Sequence, residues 1–91
     1  MLRAIWVSEL HISSRVAQKI SSKHRLRTED VRQAIVGVAG LRARRDTSPE
    51  RGLRYLTSVE IDGHPCVAVL YPTDRDEETF ALGSVYRVRA S

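Results

Sequence analysis

Apolar positions along the chain change period once, and that change divides it into a helical first half and an extended second half. Residues 3–7 read as a short strand holding Trp6. Helical spacing then begins near Leu10, with Ile12, Val16 and Ile20 recurring every fourth residue as one apolar stripe. His11, Arg15, Lys19 and Lys23 repeat at the same spacing one position earlier, about 100° around the helix, so a basic ridge flanks the seam. Thr28 is positioned as an N-cap, with Glu29 and Asp30 in the first turn where negative charge suits the helix dipole. Val31, Ala34, Ile35 and Val38 make the apolar face of a second helix, which Gly37 and Gly40 bring to an end.

From there the period is two. Residues 41–46 predict a short, arginine-rich edge strand, and residues 47–52 a loop. Leu53, Tyr55, Val59 and Ile61 share one parity of the next strand, with Arg54, Ser58 and Glu60 on the other. Asp62-Gly63 is a hairpin signal. Residues 66–71 are apolar on both parities and predict the central strand; residues 72–78 form an acidic loop. In the last strand Phe80, Leu82, Tyr86 and Val88 fall on the core parity, leaving Val85 and Arg87 on the opposite face. The expected fold class is α+β: a short first strand, then two N-terminal helices packed on one face of an antiparallel sheet, as a single domain over residues 1–91.

Composition narrows the function. The apolar fraction of 42% and charged fraction of 29% belong to an ordinary folded domain. Cys66 is the single cysteine, so no internal disulfide forms, which suits a reducing compartment. The apolar run at the start is too short for a signal peptide, and no stretch approaches the ~20 apolar residues of a membrane helix. A cytoplasmic location without a membrane partner is expected. The net charge of +4 is unevenly spread: residues 1–57 carry twelve Arg and Lys against five Asp and Glu, while residues 58–91 carry three against six. Thirteen of the fifteen cations are arginines, whose planar fork suits phosphate.

Several chemistries lack their motifs. There is no Gly-rich phosphate loop, no dinucleotide fingerprint, no nucleophile elbow and no zinc-spaced Cys/His set. No cofactor or metal is implied. Metal-free cleavage of RNA needs fewer parts, because the substrate brings its own 2′-hydroxyl nucleophile. The protein has to orient it, stabilise phosphate charge and move protons.

Lys23-His24-Arg25-Leu26-Arg27-Thr28-Glu29-Asp30-Val31 resembles the KHGVSFEEA segment between the helices of BrnT-type toxins, with Arg25 where that segment has glycine. Trp6 is similar to the tryptophan of the family's first strand. Gly83-Ser84-Val85-Tyr86-Arg87-Val88 resembles its terminal strand, which carries a Ser/Thr-Ala-x-Arg pattern. His11-Ile12-Ser13-Ser14-Arg15-Val16 is similar to the His-x-x-x-Arg-Met opening of a related group of small domains. The resemblance implies a RelE-like fold and a metal-independent endoribonuclease acting on single-stranded RNA, neutralised by a DNA-binding antitoxin. On that reading Arg54 and Arg87, both expected on the face without helices, stabilise charge at the scissile phosphate, and His24 transfers protons. Arg15, Lys19, Lys23, Arg42 and Arg44 hold RNA phosphates, and Tyr71 stacks a base. Two alternatives stay open. One is the same fold as a non-catalytic protein- or nucleic-acid-binding module. The other is a helix-turn-helix regulator reading DNA through Arg32 and Gln33.

Overall fold

In the computed structural model, which describes residues 2–88, two short strands precede the helices. The elements run β1 (Leu2–Ala4), β2 (Glu9–His11), α1 (Ser14–His24), α2 (Thr28–Ile35), β3 (Arg42–Ser48), β4 (Gly52–Ile61), β5 (His64–Pro72) and β6 (Thr79–Arg87). They form one six-stranded sheet in the order β1-β3-β4-β5-β6-β2. Every neighbouring pair is antiparallel except β2 with β6, which is parallel. The fold is α+β, as the change of period implies. The first strand expected over residues 3–7 is cut back to Leu2–Ala4, and a second short strand, Glu9–His11, stands where the first helix was expected to begin, so the start of the chain is split between opposite edges of the sheet.

That split fixes the shape. Five strand spacings separate β1 from β2, about 24 Å in a flat sheet. The five Cα steps from Ala4 to Glu9 reach at most about 18 Å. The sheet therefore has to curl, and it curls around its helical side. Ile5 N–H still bonds to the Leu41 carbonyl at 2.9 Å, and Ser8 N–H already bonds to the Glu78 carbonyl at 2.9 Å, so the chain crosses between the edges at residues 6 and 7. Val7 is fully buried there, and its carbonyl accepts from Gly37 N–H at 2.8 Å. Gly37 sits at φ +68°, in the left-handed region that glycine tolerates.

Ser13 caps α1, its hydroxyl accepting from Val16 N–H at 3.2 Å. The helix thus starts four residues later than Leu10, which belongs to β2, buried opposite Phe80. His11 likewise leaves the expected ridge. At the other end Arg25 takes a left-handed conformation at φ 54°, and Leu26 N–H bonds to the Ile20 carbonyl at 3.1 Å. This Schellman-type closure turns Leu26 into the core. Because the chain turns so tightly, α2 begins one residue before the expected position: its N-cap is Arg27, which makes no side-chain cap bond, and Thr28 is already helical. The helix stops at Ile35, and Val38 reaches the core from the following loop rather than from the helical face. Arg32 donates to the carbonyl of Leu10. A side chain tied down against β2 in this way is not presented to a DNA groove, which removes half of the helix-turn-helix reading.

Core side chains come from both helices and from one face of the sheet: Ile20, Val31, Ile35, Ile61, Leu70 and Val85 are among the most buried. Edge-on contact of Tyr55 with Phe80, ring centroids 5.9 Å apart, joins β4 to β6 over the intervening strand. The strand β3 is internal where β1 pairs with residues 42–44 and free on its outer side only beyond them, so the edge expected over residues 41–46 is half covered.

A register shift between Val69 and Leu70 overturns one expectation about faces. Val69 pairs with Ser84 but Leu70 pairs with Leu82, leaving Gly83 as an extra residue on β6. A bulge of this kind reverses side-chain parity beyond it. Phe80 and Leu82 face the core as expected, but so does Val85, which is fully buried. Tyr86, expected in the core, is 42% exposed on the opposite face. Arg87 pairs with Cys66 and falls on the helical side, contrary to its expected place on the open face.

An arginine in the left-handed region costs roughly 1–2 kcal/mol relative to glycine, partly offset by glycine's greater entropy when unfolded. Arg25→Gly should therefore stabilise the fold by about 0.5–1 kcal/mol in denaturant titration. A destabilised variant would mean that the Arg25 side chain makes a contribution beyond its backbone.

Candidate functional site on the open sheet face

The sheet face turned away from the helices is organised as cross-strand rows. In the first row Asp46 of β3 lies directly opposite Arg54 of β4, and Tyr71 of β5 follows one step beyond the registered pair Tyr55–Leu70. Arg54 Nε donates to Asp46 Oδ2 at 2.6 Å, with both side chains about one-third exposed. The Tyr71 phenol lies beside Arg54 in the same row, close enough to act on its charge. Asp46 first, and Tyr71 after it, hold the guanidinium above its already high ordinary pKa, so Arg54 is charged at every working pH. A guanidinium pinned through Nε presents its remaining N–H groups in a fixed direction, which is the geometry that bidentate phosphate recognition uses.

Gly83 makes room for Tyr71. A Cβ at Gly83 would lie 2.3 Å from Cε2 of the Tyr71 ring, so the ring lies over bare backbone. Covering a strand glycine with an aromatic ring protects the weakest point of β6 and fixes the place of the ring.

The second row runs Leu2, Arg44, Leu56, Val69 and Ser84 across β1, β3, β4, β5 and β6. In the next, Ser58, Val67 and Tyr86 are paired, with Arg42 alongside on β3. Leu2, Arg44, Leu56, Ser58, Val67 and Tyr86 line a shallow depression of about 270 Å³. Arg42 and Arg44 are exposed and have no acidic partner within 4 Å among the described residues. The face is thus an apolar floor with arginines toward β3 and tyrosines toward β5 and β6. That combination suits unpaired nucleic acid, which needs cations for phosphates and flat rings for bases.

Four of the nine residues singled out from the sequence share this face: Arg42, Arg44, Arg54 and Tyr71. The other five do not. Arg15, Lys19 and Lys23 are exposed along α1, His24 ends that helix, and Arg87 lies opposite Cys66. Burial pushes the Cys66 thiol up, with the positive charge of Arg87 pulling the other way. The expected partnership of Arg54 with Arg87 and His24 at one phosphate is not assembled: Arg87 is on the helical side and lies opposite Cys66, five residues along β5 from the Tyr71 that is in step with Arg54, and His24 ends α1. Asp46, Gly83 and Tyr86 were missed. A lone glycine followed by serine inside a strand is a bulge signal that would have moved Tyr86 to the open face.

A larger cavity of about 640 Å³ lies at the seam between the sheet edges, beside Trp6, Tyr55 and Phe80. Asp74, Asp76, Glu77 and Glu78 surround its mouth, and that charge repels a polyanion. Asp76 braces the loop: its Oδ1 accepts from Glu78 N–H at 2.8 Å and from the Thr79 hydroxyl at 2.9 Å, and these bonds hold its carboxyl below the ordinary value. Among the described residues no three His, Cys, Asp or Glu side chains are grouped to hold a metal ion, and no helix is long and apolar enough to cross a membrane. Comparison with known proteins found no matching family, no matching curated protein and no matching solved structure.

Placing a methyl at Gly83 must displace the Tyr71 ring. Gly83→Ala should destabilise the fold by about 1–3 kcal/mol through overpacking. In a double-mutant cycle most of that loss should disappear when Tyr71 is already Ala. Full additivity of the two substitutions would show that the ring does not depend on the bare backbone beneath it.

Proposed function

We propose that this chain is a toxin-type endoribonuclease with a RelE-like arrangement, cleaving single-stranded RNA on its open sheet face without a metal, and restrained by an antitoxin partner. The observation that carries the reading is the row Asp46–Arg54–Tyr71: an always-charged guanidinium fixed by Asp46 beside a phenol, on an exposed, arginine-flanked face. The likeness of residues 23–31 to BrnT-type toxins supports it independently. In the proposed step the substrate's 2′-oxygen attacks phosphorus and its proton passes to water. The P–O5′ bond breaks, and the Tyr71 hydroxyl protonates the departing O5′. Arg54 stabilises the phosphorane oxygens and then the phenolate, which water reprotonates. Arg42 holds a flanking phosphate, and Arg44 stands beside it on the same face.

One observation favours the second reading, binding without cleavage: His24 and Arg87, which were to share the proton and charge work, are not on this face. A labelled single-stranded RNA separates the two. Cleavage should persist in excess chelator, and Arg54→Ala should slow it by ~100–1000-fold, the usual cost of losing one charge-stabilising donor. Lys19→Ala, on α1, should leave the rate within about twofold. Cleavage lost on chelation, or an Arg54→Ala variant at the wild-type rate, would overturn the catalytic assignment. RNA bound but left intact by the wild type would establish the binding module instead. Arrest of growth on expression, relieved by a co-expressed neighbouring gene, tests the antitoxin half of the reading.

A further inference from the structure

We propose that the depression lined by Leu2, Arg44, Leu56, Ser58, Val67 and Tyr86 is a single-base subsite that prefers guanine. The inference rests on the RNA reading above and deepens it by naming the base. Its floor is apolar, from Leu56 and Val67 on adjacent strands, and Tyr86 stands at one side with 42% of its surface exposed. A large aromatic exposed beside an apolar floor has little to recommend it in an isolated domain, but it offers a stacking surface to a planar ring. At about 270 Å³ the depression takes one base at a time.

Arg44 is the only charged residue of the lining, and it has no acidic partner within 4 Å among the described residues. Its guanidinium offers donors and no acceptor. Of the two purines, which give a stacking ring the larger surface, guanine alone presents two adjacent acceptors, O6 and N7, on one edge. Adenine sets an N6 donor beside its N7, uracil sets N3–H between its two carbonyls, and cytosine, whose O2 and N3 are adjacent acceptors, is a single ring with less surface for Tyr86 to stack. A donor fork beside a stacking ring therefore selects guanine. Unlike Arg54, which Asp46 engages, Arg44 is free to make that contact. The Arg44–Leu56 pair lies two residues along the strands from the Asp46–Arg54 pair, about 7 Å away. A base in the depression and a phosphate on Arg54 thus belong to the same or neighbouring nucleotides.

The test uses fluorescent 2′-O-methyl hexanucleotides, which lack the nucleophile, in a uridine context with one central guanine, 7-deazaguanine or adenine. Wild-type protein should bind the guanine oligonucleotide about tenfold more tightly than either of the others; loss of N7 alone removes the second acceptor. Arg44→Ala should bind all three alike, whereas Tyr86→Phe should keep the preference and Tyr86→Ala should weaken all three. Equal affinity of the wild type for the three, or a preference that survives Arg44→Ala, would overturn the guanine subsite while leaving RNA binding intact. Failure of the wild type to bind any of them would overturn the RNA reading and the subsite together.

Discussion

The four residues that carry the chain from one edge of the sheet to the other are the constraint on which the rest of the molecule depends. Residues 5–8 are too short to span a flat six-stranded sheet, so the sheet curls until its edges nearly meet. Curling separates two environments. The inner side is filled by Ile20, Leu26, Val31 and Ile35 from the helical segment. The outer side has no element of the described chain packed on it, and it is there that Arg42, Arg44, Arg54, Tyr71 and Tyr86 are displayed. Val7, buried at the crossing and bonded through its carbonyl to Gly37, locks the connector to the end of the helical pair.

One inserted residue then decides which side chains the outer face presents. Without the bulge at Gly83, Tyr86 would enter the core and Arg87 would turn to the open face. With it, Val85 fills the core, Tyr86 turns outward and Arg87 moves beside Cys66. The same glycine leaves space for the Tyr71 ring, so the bulge both reverses the parity of the last strand and seats the phenol that shares a row with Arg54. Gly83 is small in the sequence and large in its consequences.

The fold class was legible from periodicity, because helices at 3.6 and strands at 2.0 residues leave different apolar spacings. The central position of β5 was legible for the same reason, since a strand covered on both sides is apolar on both parities. Three-residue strands were not. Leu2–Ala4 and Glu9–His11 are shorter than any period needs to declare itself, and Leu10 imitates the first position of the helical stripe. Half of the candidate site was legible: alternation in β4 put Arg54 outward, and the arginine run around residue 44 announced itself. Asp46 was opaque because its partner is eight residues away, across a turn whose geometry sets the register. Parity beyond Gly83 depended on a bulge, which shifts faces without altering composition.

The claim at the centre of this account is that nucleic acid meets the outer sheet face and not the basic ridge of α1. It is tested most directly by amide chemical-shift mapping of the isotopically labelled protein with a non-cleavable single-stranded hexanucleotide. The account predicts perturbations concentrated at residues 42–46, 54–58, 67–71 and 84–86, with residues 15–23 unmoved. Perturbations that follow Arg15, Lys19 and Lys23 while the sheet residues stay in place would contradict it.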